Sequence, residues 1–286
     1  MPDADIAMPL PADLDDQVRH ALREDLGSGD LTAALVPAGQ QAEAAILARQ
    51  DAVICGQAWA ERVFVQVDPA IQVQWQVNEA QRVSANELLC RVSGPARGLL
   101  TAERTALNFL QTLSGTATAA RAYVDAVAGT GATILDTRKT VPGLRLAQKY
   151  AVRCGGAQNH RIGLFDAILV KENHIAAAGS ITAATASARK AGVLVEIEVE
   201  RLEQMGEALQ TGADRLLLDN FTLDALRDAV AMRNATAPDV QLEASGGITL
   251  AAVRSVAETG VDFISVGAIT KDIHAVDLSM RFQFTD

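Results

Sequence analysis

Proline is scarce in this chain of 286 residues: there are eight, against 21 glycines, within a 49% hydrophobic and 21% charged composition. That balance excludes a disordered tail protein, a collagen-like repeat and a coiled-coil rod. No uninterrupted run reaches about 18 apolar residues, so no segment is expected to span a membrane. Cysteine is nearly missing. Cys55, Cys90 and Cys154 are odd in number and scattered, with no CxxC pair and no disulfide framework, which points to a reducing, cytoplasmic setting. The opening MPDADIAMPLPADLDD is acidic where a signal peptide would be basic, and it lacks a long apolar core. Also missing are a GxSxG elbow, a Walker A loop, a dinucleotide-binding glycine fingerprint and Cys/His zinc spacing.

What is present is enough chain to bury a sizeable core, as two domains of about 150 residues or as one α/β barrel. The net charge of −10 argues against a general affinity for nucleic acid or anionic membrane. It is unevenly spread. Between Arg138 and Lys171 stand Arg138, Lys139, Arg145, Lys149, Arg153, Arg161 and Lys171 against the single acid Asp166, a stretch of +6 that leaves −16 for the rest. A cationic patch in an acidic protein suits a small, multiply anionic ligand. For Arg145, Lys149 and Arg153, spaced i, i+4, i+8, a helix with a solvated basic face is an equal alternative.

The first 115 residues mix helical and strand patterns. DLDDQVRHALREDLG is an amphipathic helix; AEAAILARQDAVICG, IQVQWQV and ELLCRVSG are strands; a long helical periodicity runs from GLLTAERT to YVDAVAG. Beyond about residue 130, six short β-rich runs (132–137, 166–172, 194–200, 214–220, 240–245 and 261–268) mostly alternate with helical patterns, the signature of a parallel sheet. Without a glycine fingerprint, these units favour a barrel over an open doubly wound sheet.

Chemistry in such barrels gathers where strands end. Those positions carry Arg138 and Lys139, Lys171 and Glu172, Glu198 and Glu200, Asp219 and Asn220, Glu243 with Ser245–Gly246–Gly247, and Gly267–Ala268. In an exposed strand Glu196, Glu198 and Glu200 would be the wet face. In a barrel strand they point into the lumen, where buried carboxylates need cations or a metal. SGGI (245–248) and SVGA (265–268) offer free backbone N–H groups to a phosphate. His160 sits in a basic, glycine-rich loop and His174 just past a strand end, whereas His20 and His274 have no supporting context. Cys154, beside that loop, is expected to be a small buried residue.

DTRKTVPGLRLAQKYAV (136–152), GGAQNHRIGLFDAILVKENH (155–174), LLLDN (216–220) and EASGGI (243–248) resemble quinolinate phosphoribosyltransferase, the carboxylating nicotinate-nucleotide pyrophosphorylase family. EDLGSGDLT (24–32) and ERTALNFLQTLSGTAT (103–118) are similar to its first domain. The resemblance implies a type II phosphoribosyltransferase-like α/β fold. An N-terminal α/β sandwich (1–115) would be rejoined by residues 271–286, beside an incomplete, six- or seven-stranded parallel α/β barrel (116–270). It implies that quinolinate and phosphoribosyl pyrophosphate, with Mg²⁺, give nicotinate mononucleotide, pyrophosphate and CO₂ for de novo NAD biosynthesis. It implies a homodimer in which Arg104 reaches the partner's site, with no nucleic acid or membrane partner. Carried over by motif, Arg104, Arg138, His160 and Arg161 would hold the quinolinate carboxylates. Thr137 would bind substrate, and Lys139 and Lys171 would neutralise phosphoribosyl pyrophosphate and its leaving group. Glu198 and Asp219 would bind ribose hydroxyls and Mg²⁺, and Ser245, Gly246, Gly247, Gly267 and Ala268 the 5′-phosphate. Three alternatives stand beside this: a phosphoribosyltransferase for nicotinate or another base without decarboxylation, a Schiff-base lyase on Lys139 or Lys171, and a non-catalytic sensor.

Overall fold

Apolar residues at Leu14, Val18 and Leu22 share one face of helix α1 (Leu14–Leu26) and are buried, while Asp15 and Asp16 occupy its first turn. The computed structural model describes residues 9–285, so the acidic opening segment lies outside the described residues as far as position 8. Strand β1 (Gln41–Ala48) alternates, with Ala42, Ala44, Ile46 and Ala48 inward. Then come β2 (Ala52–Val53), helix α2 (Gln57–Val67), β3 (Gln72–Trp75), β4 (Arg82–Val83) and β5 (Leu88–Pro95), leading into the 31-residue helix α3 (Ala96–Ala126). Among these strands, only β2 and β4 stand apart, as an antiparallel pair.

The second run begins with β6 (Thr133–Leu135). Helix α4 (Arg145–Cys154) follows, then β7 (Ala167–Val170), α5 (Glu172–Ala178), α6 (Ile181–Ala188), β8 (Leu194–Val199), α7 (Leu202–Ala208) and β9 (Arg215–Asp219). Helix α8 (Leu223–Thr236), β10 (Gln241–Ser245), α9 (Val253–Ala257), β11 (Phe263–Ser265), α10 (Ala268–Lys271) and β12 (Leu278–Thr285) complete the described chain.

These elements form two compact units. Among the described residues, the first takes 9–119, 141–156 and 273–285. Its antiparallel sheet has the order β12-β1-β5-β3, with the C-terminal strand in full register against β1 from Gln41↔Thr285 to Ala48↔Leu278. A linear second domain from 116 to 270 does not describe this arrangement, because α4 buries Ala147, Ala151 and Cys154 in the core of the first unit. Nor does α4 present Arg145, Lys149 and Arg153 as one wet face: Lys149 is 2% exposed.

The second unit (120–140 and 157–272) is built on a six-stranded parallel sheet, order β6-β11-β10-β9-β8-β7. The alternative of a seventh strand reduces to one parallel bridge, Leu135 to Gln158, beside β6. The strands are shorter than their sequence runs, and β8 stops at Val199. Val195, Ile197 and Val199 of β8, Leu216 and Leu218 of β9, and Leu242 and Ala244 of β10 are buried on one face of the sheet. On the other face the intervening positions are mostly charged, Glu196, Glu198, Arg215, Asp219 and Glu243, with Leu217 among them. One sheet face thus makes the core while the opposite face carries polar chemistry.

Candidate active site

Parallel strands all end on the same side, so residues distant in sequence converge there. The converging end surrounds a cavity of about 470 Å³. Arg138 and Lys139 enter from the loop after β6, Arg161 from the loop before β7, Lys171 from just past β7, Glu198 from β8 and Asp219 from the end of β9. Ser245 and Ser265, each one residue past the Ala244↔Ile264 pair of β10 and β11, complete the far wall. Four cations and three carboxylates, Glu198, Asp219 and Glu243, thus face one space.

The charges are specifically paired. Lys171 Nζ lies 2.6 Å from Glu198 Oε2. This commitment runs against the Schiff-base alternative, which needs a neutral, unpaired amine. Burial and the neighbouring Glu198 charge push the Asp219 carboxyl up, against the pull of Lys171 and Lys139. Thr137 Oγ1 accepts from Lys139 N at 3.1 Å, and Thr270 Oγ1 donates to Lys139 O at 2.9 Å, fixing the backbone that carries this lysine. Burial and the adjacent Arg138 charge lower the Arg161 guanidinium. Crowding of like positive charges is what a site prepared for an anion requires.

At the cavity floor lies a layer that sequence reasoning only partly found, with His160 and Glu243 reaching the cavity itself. Glu196 and Glu243, 1% and 0% exposed, flank His160, whose Nε2 is 2.8 Å from Glu196 Oε2 and 3.5 Å from Glu243 Oε2. Arg215 Nη1 donates to Glu243 Oε2 at 3.1 Å, and its guanidinium stacks 4.0 Å from the Phe263 ring centroid. Glu243 is pushed up to about 7 by burial and the Glu196 charge, and burial raises Glu196 as well. Because His160 Nδ1 accepts from Arg161 N at 2.8 Å, its ring proton sits on Nε2 and is donated to Glu196. Asp136, fully buried, accepts from His160 N at 2.8 Å and from Asn159 Nδ2 at 2.7 Å. Arg215 and Asp136 were missed. The parity of β9, which places Arg215 on the same face as Asp219, was the available signal.

The expected residues fall into three groups. Thr137, Arg138, Lys139, His160, Arg161, Lys171, Glu198, Asp219 and Ser245 line the cavity together. Gly246 and Gly247 instead line a neighbouring cavity of about 350 Å³, with Ser245 common to both. Gly267 lies against the site: a side chain there would meet Lys139 Cδ at 3.2 Å, and Ala268 begins α10. Arg104 is exposed on α3 and belongs to the first unit. Glu200 is not on the lumen face, because β8 has ended; it is exposed, and its N–H donates to Gln204 Oε1 at 2.9 Å. His174 has a local role, accepting Lys171 N on Nδ1 at 3.0 Å at the start of α5. Cys154 is buried as expected, close to Cys55 and Glu79 in the first unit.

A multiply anionic substrate, a developing cation and an anionic leaving group all have complements in this cavity. Residues 30–114 match the family model for the quinolinate phosphoribosyl transferase N-terminal domain, and residues 116–281 that for its C-terminal domain. The chain is 44% identical over 271 residues to the nicotinate-nucleotide pyrophosphorylase [carboxylating] of Mycobacterium leprae, covering 93% of this chain and 95% of that one. A probable enzyme of the same name from Bacillus subtilis is 40% identical over 266 residues, covering 92% and 91%. The solved nicotinate-nucleotide pyrophosphorylase of Francisella tularensis superposes with a TM-score of 0.93 at 46% identity, covering 98% of this chain and 100% of that one. NadC of Streptococcus pyogenes gives 0.93 at 38%, with the same coverage.

Proposed function

Because the chain belongs to the quinolinate phosphoribosyltransferase family, we propose that the cavity at the strand ends of its second unit is where that family's reaction takes place. The enzyme transfers the phosphoribosyl group of phosphoribosyl pyrophosphate to quinolinate with decarboxylation, yielding nicotinate mononucleotide, pyrophosphate and CO₂ in de novo NAD biosynthesis. The observation that carries the placement is the convergence of Arg138, Lys139, Arg161 and Lys171 with Glu198 and Asp219 on one cavity.

Arg138 and Arg161 grip the two carboxylates of quinolinate through guanidinium forks. His160 lines the same pocket beside them, and its Nδ1 holds the Arg161 backbone in place. Lys139 and Lys171 neutralise the phosphoribosyl donor and take the charge of departing pyrophosphate. The pyridine nitrogen attacks the anomeric carbon, so no protein nucleophile is needed, and the carboxylates of Glu198 and Asp219 stabilise the oxocarbenium-like cation. The ribosylated, cationic nitrogen then stabilises the ring carbanion left when CO₂ departs. Holding both substrates in line supplies the remainder of the rate. The 5′-phosphate is held by Ser245 and the Gly246, Gly247, Gly267 and Ala268 backbone.

The donor set fits Mg²⁺, a hard cation that prefers oxygen ligands. Glu198 and Asp219 face one cavity, and burial together with the Glu198 charge raises Asp219, a like-charge strain that a dication relieves. Bound there with substrate oxygens, Mg²⁺ would neutralise pyrophosphate charge. The enzyme works as a cytoplasmic homodimer, with Arg104 of one subunit completing the quinolinate pocket of the other.

Purified protein with Mg²⁺ and phosphoribosyl pyrophosphate, given quinolinate and nicotinate in parallel, tests this directly. Product with stoichiometric CO₂ from quinolinate alone is the expected result. Product from nicotinate without CO₂ would overturn the carboxylate assignments, and silence with both would favour the sensor alternative. Arg104→Ala and Lys139→Ala dimers, each impaired, should regain activity after subunit exchange. No recovery from confirmed hybrids would rule out a shared site.

A further inference from the structure

Asn220 follows Asp219 at the end of β9 and is the only non-glycine residue of the second unit, among the described residues, with a left-handed backbone, φ +58°. Such a conformation persists where the surroundings hold it. Here Asn220 N donates to Ser245 O at 2.9 Å, and Asn220 Nδ2 donates to Asp219 Oδ2 at 2.7 Å. The neighbouring strand end makes room for this. Gly246, at φ +102°, has no side chain where a Cβ would stand 2.2 Å from Asn220 Oδ1, 2.7 Å from its Cγ and 2.8 Å from its N. An alanine at 246 would therefore collide with the asparagine backbone as well as with its amide. Leu218 and Ala244 are partners on the parallel ladder, as are Asp219 and Ser245, so Asn220 and Gly246 meet one step beyond the last rung.

We propose that Asn220 is a positioning residue that sets the Asp219 carboxylate, and that Gly246 is glycine in order to seat Asn220. The inference rests on the reading above that Asp219 faces the phosphoribosyl donor. The amide commits one carboxylate oxygen and one rotamer, so the other oxygen is presented to the cavity in a fixed direction. The left-handed backbone is what turns the Asn220 side chain back onto its own predecessor. The SGG motif then has a division of labour: Ser245 contributes to the cavity wall, and Gly246 locks the adjacent strand end.

The test uses the intact enzyme and three variants. Asn220→Gly keeps the left-handed backbone and removes the amide. Asn220→Asp keeps the shape and sets a second acceptor against Asp219. Gly246→Ala leaves the amide in place but expels it from its seat. Each should lower kcat/KM for phosphoribosyl pyrophosphate about 10- to 100-fold, the range for losing a hydrogen bond to a charged group. Calorimetric binding of phosphoribosyl pyrophosphate should weaken in parallel, while quinolinate binding to the free enzyme stays within about twofold. Gly246→Ala should cost less in the Asn220→Gly background than alone, because part of the collision is gone. Wild-type donor kinetics in Asn220→Gly would overturn the proposal. So would an equal loss of affinity for both substrates that tracks a lowered unfolding temperature, since that is a fold defect. A wild-type enzyme that binds no phosphoribosyl pyrophosphate would instead overturn the underlying reading.

Discussion

Each unit withdraws carboxylates from water, and the two do it differently. In the first unit, Glu79 accepts from Gly56 N at 2.8 Å and Gln57 N at 3.2 Å at the start of α2, and also from the Cys55 thiol and the Tyr150 hydroxyl. Its charge is distributed over neutral donors and needs no cation. In the second unit, Glu196 and Glu243 press against each other, and their satisfaction depends on His160, Arg215 and the Ser265 hydroxyl. Even so, Glu196 Oε1, Glu243 Oε1 and Arg215 Nε are buried with no hydrogen-bond partner among the described residues. Glu79 is thus hydrogen-bonded at the start of a helix, whereas Glu196 and Glu243 each keep one oxygen unsatisfied beneath the groups above them.

This contrast can be broken experimentally. Glu198→Ala, in the cavity itself, should cost about 100-fold in kcat, roughly 3 kcal/mol of transition-state stabilisation, with little change in denaturant midpoint. A stable but fully active variant would remove Glu198 from the chemistry. Glu79→Ala should do the reverse. It strands two N–H groups, a thiol and a hydroxyl, and should lower unfolding free energy by about 2–3 kcal/mol while the folded fraction keeps its turnover. An unchanged midpoint would show that these donors find other partners.

Glu243→Gln separates the two units by pH. A carboxyl raised from 4.5 to about 7 binds more protons folded than unfolded. It therefore lends stability at low pH that is lost as pH rises from about 4.5 toward 7. Removing that titration should flatten the fall in unfolding free energy across this window, as read by urea denaturation at several pH values. An unaltered slope would assign the titration to other groups. The smallest effect is expected from Glu200→Gln, outside β8 and exposed: kcat/KM within about twofold of wild type. A large loss would return Glu200 to the lumen face.

Much of this was legible in the sequence. The alternation of VEIEVE already separates Val195, Ile197 and Val199 from the acids between them, and charge at successive strand ends marks where the chemistry collects. The motifs at 136–152, 155–174 and 243–248 carried the family without any coordinate. Other features were not legible because they depend on through-space neighbours. Whether the acid run ends at Glu198 or Glu200 depends on where the ladder to β9 stops, at Val199↔Leu218. The burial of Lys149 depends on α4 joining the first unit, which no local pattern of i, i+4 spacing announces.

Period, composition and motif order by themselves determined the elements, the parallel sheet and the reaction family, because these rest on backbone geometry and residue chemistry that repeat along the chain. The tertiary structure alone decided that His160 spends both nitrogens on Arg161 and Glu196, that Arg215 stands beneath Glu243, and that Gly246 makes room for Asn220. Each of these is a contact between groups far apart in sequence. Its energy depends on ångström distances in a medium from which water has been removed, and no local pattern encodes that.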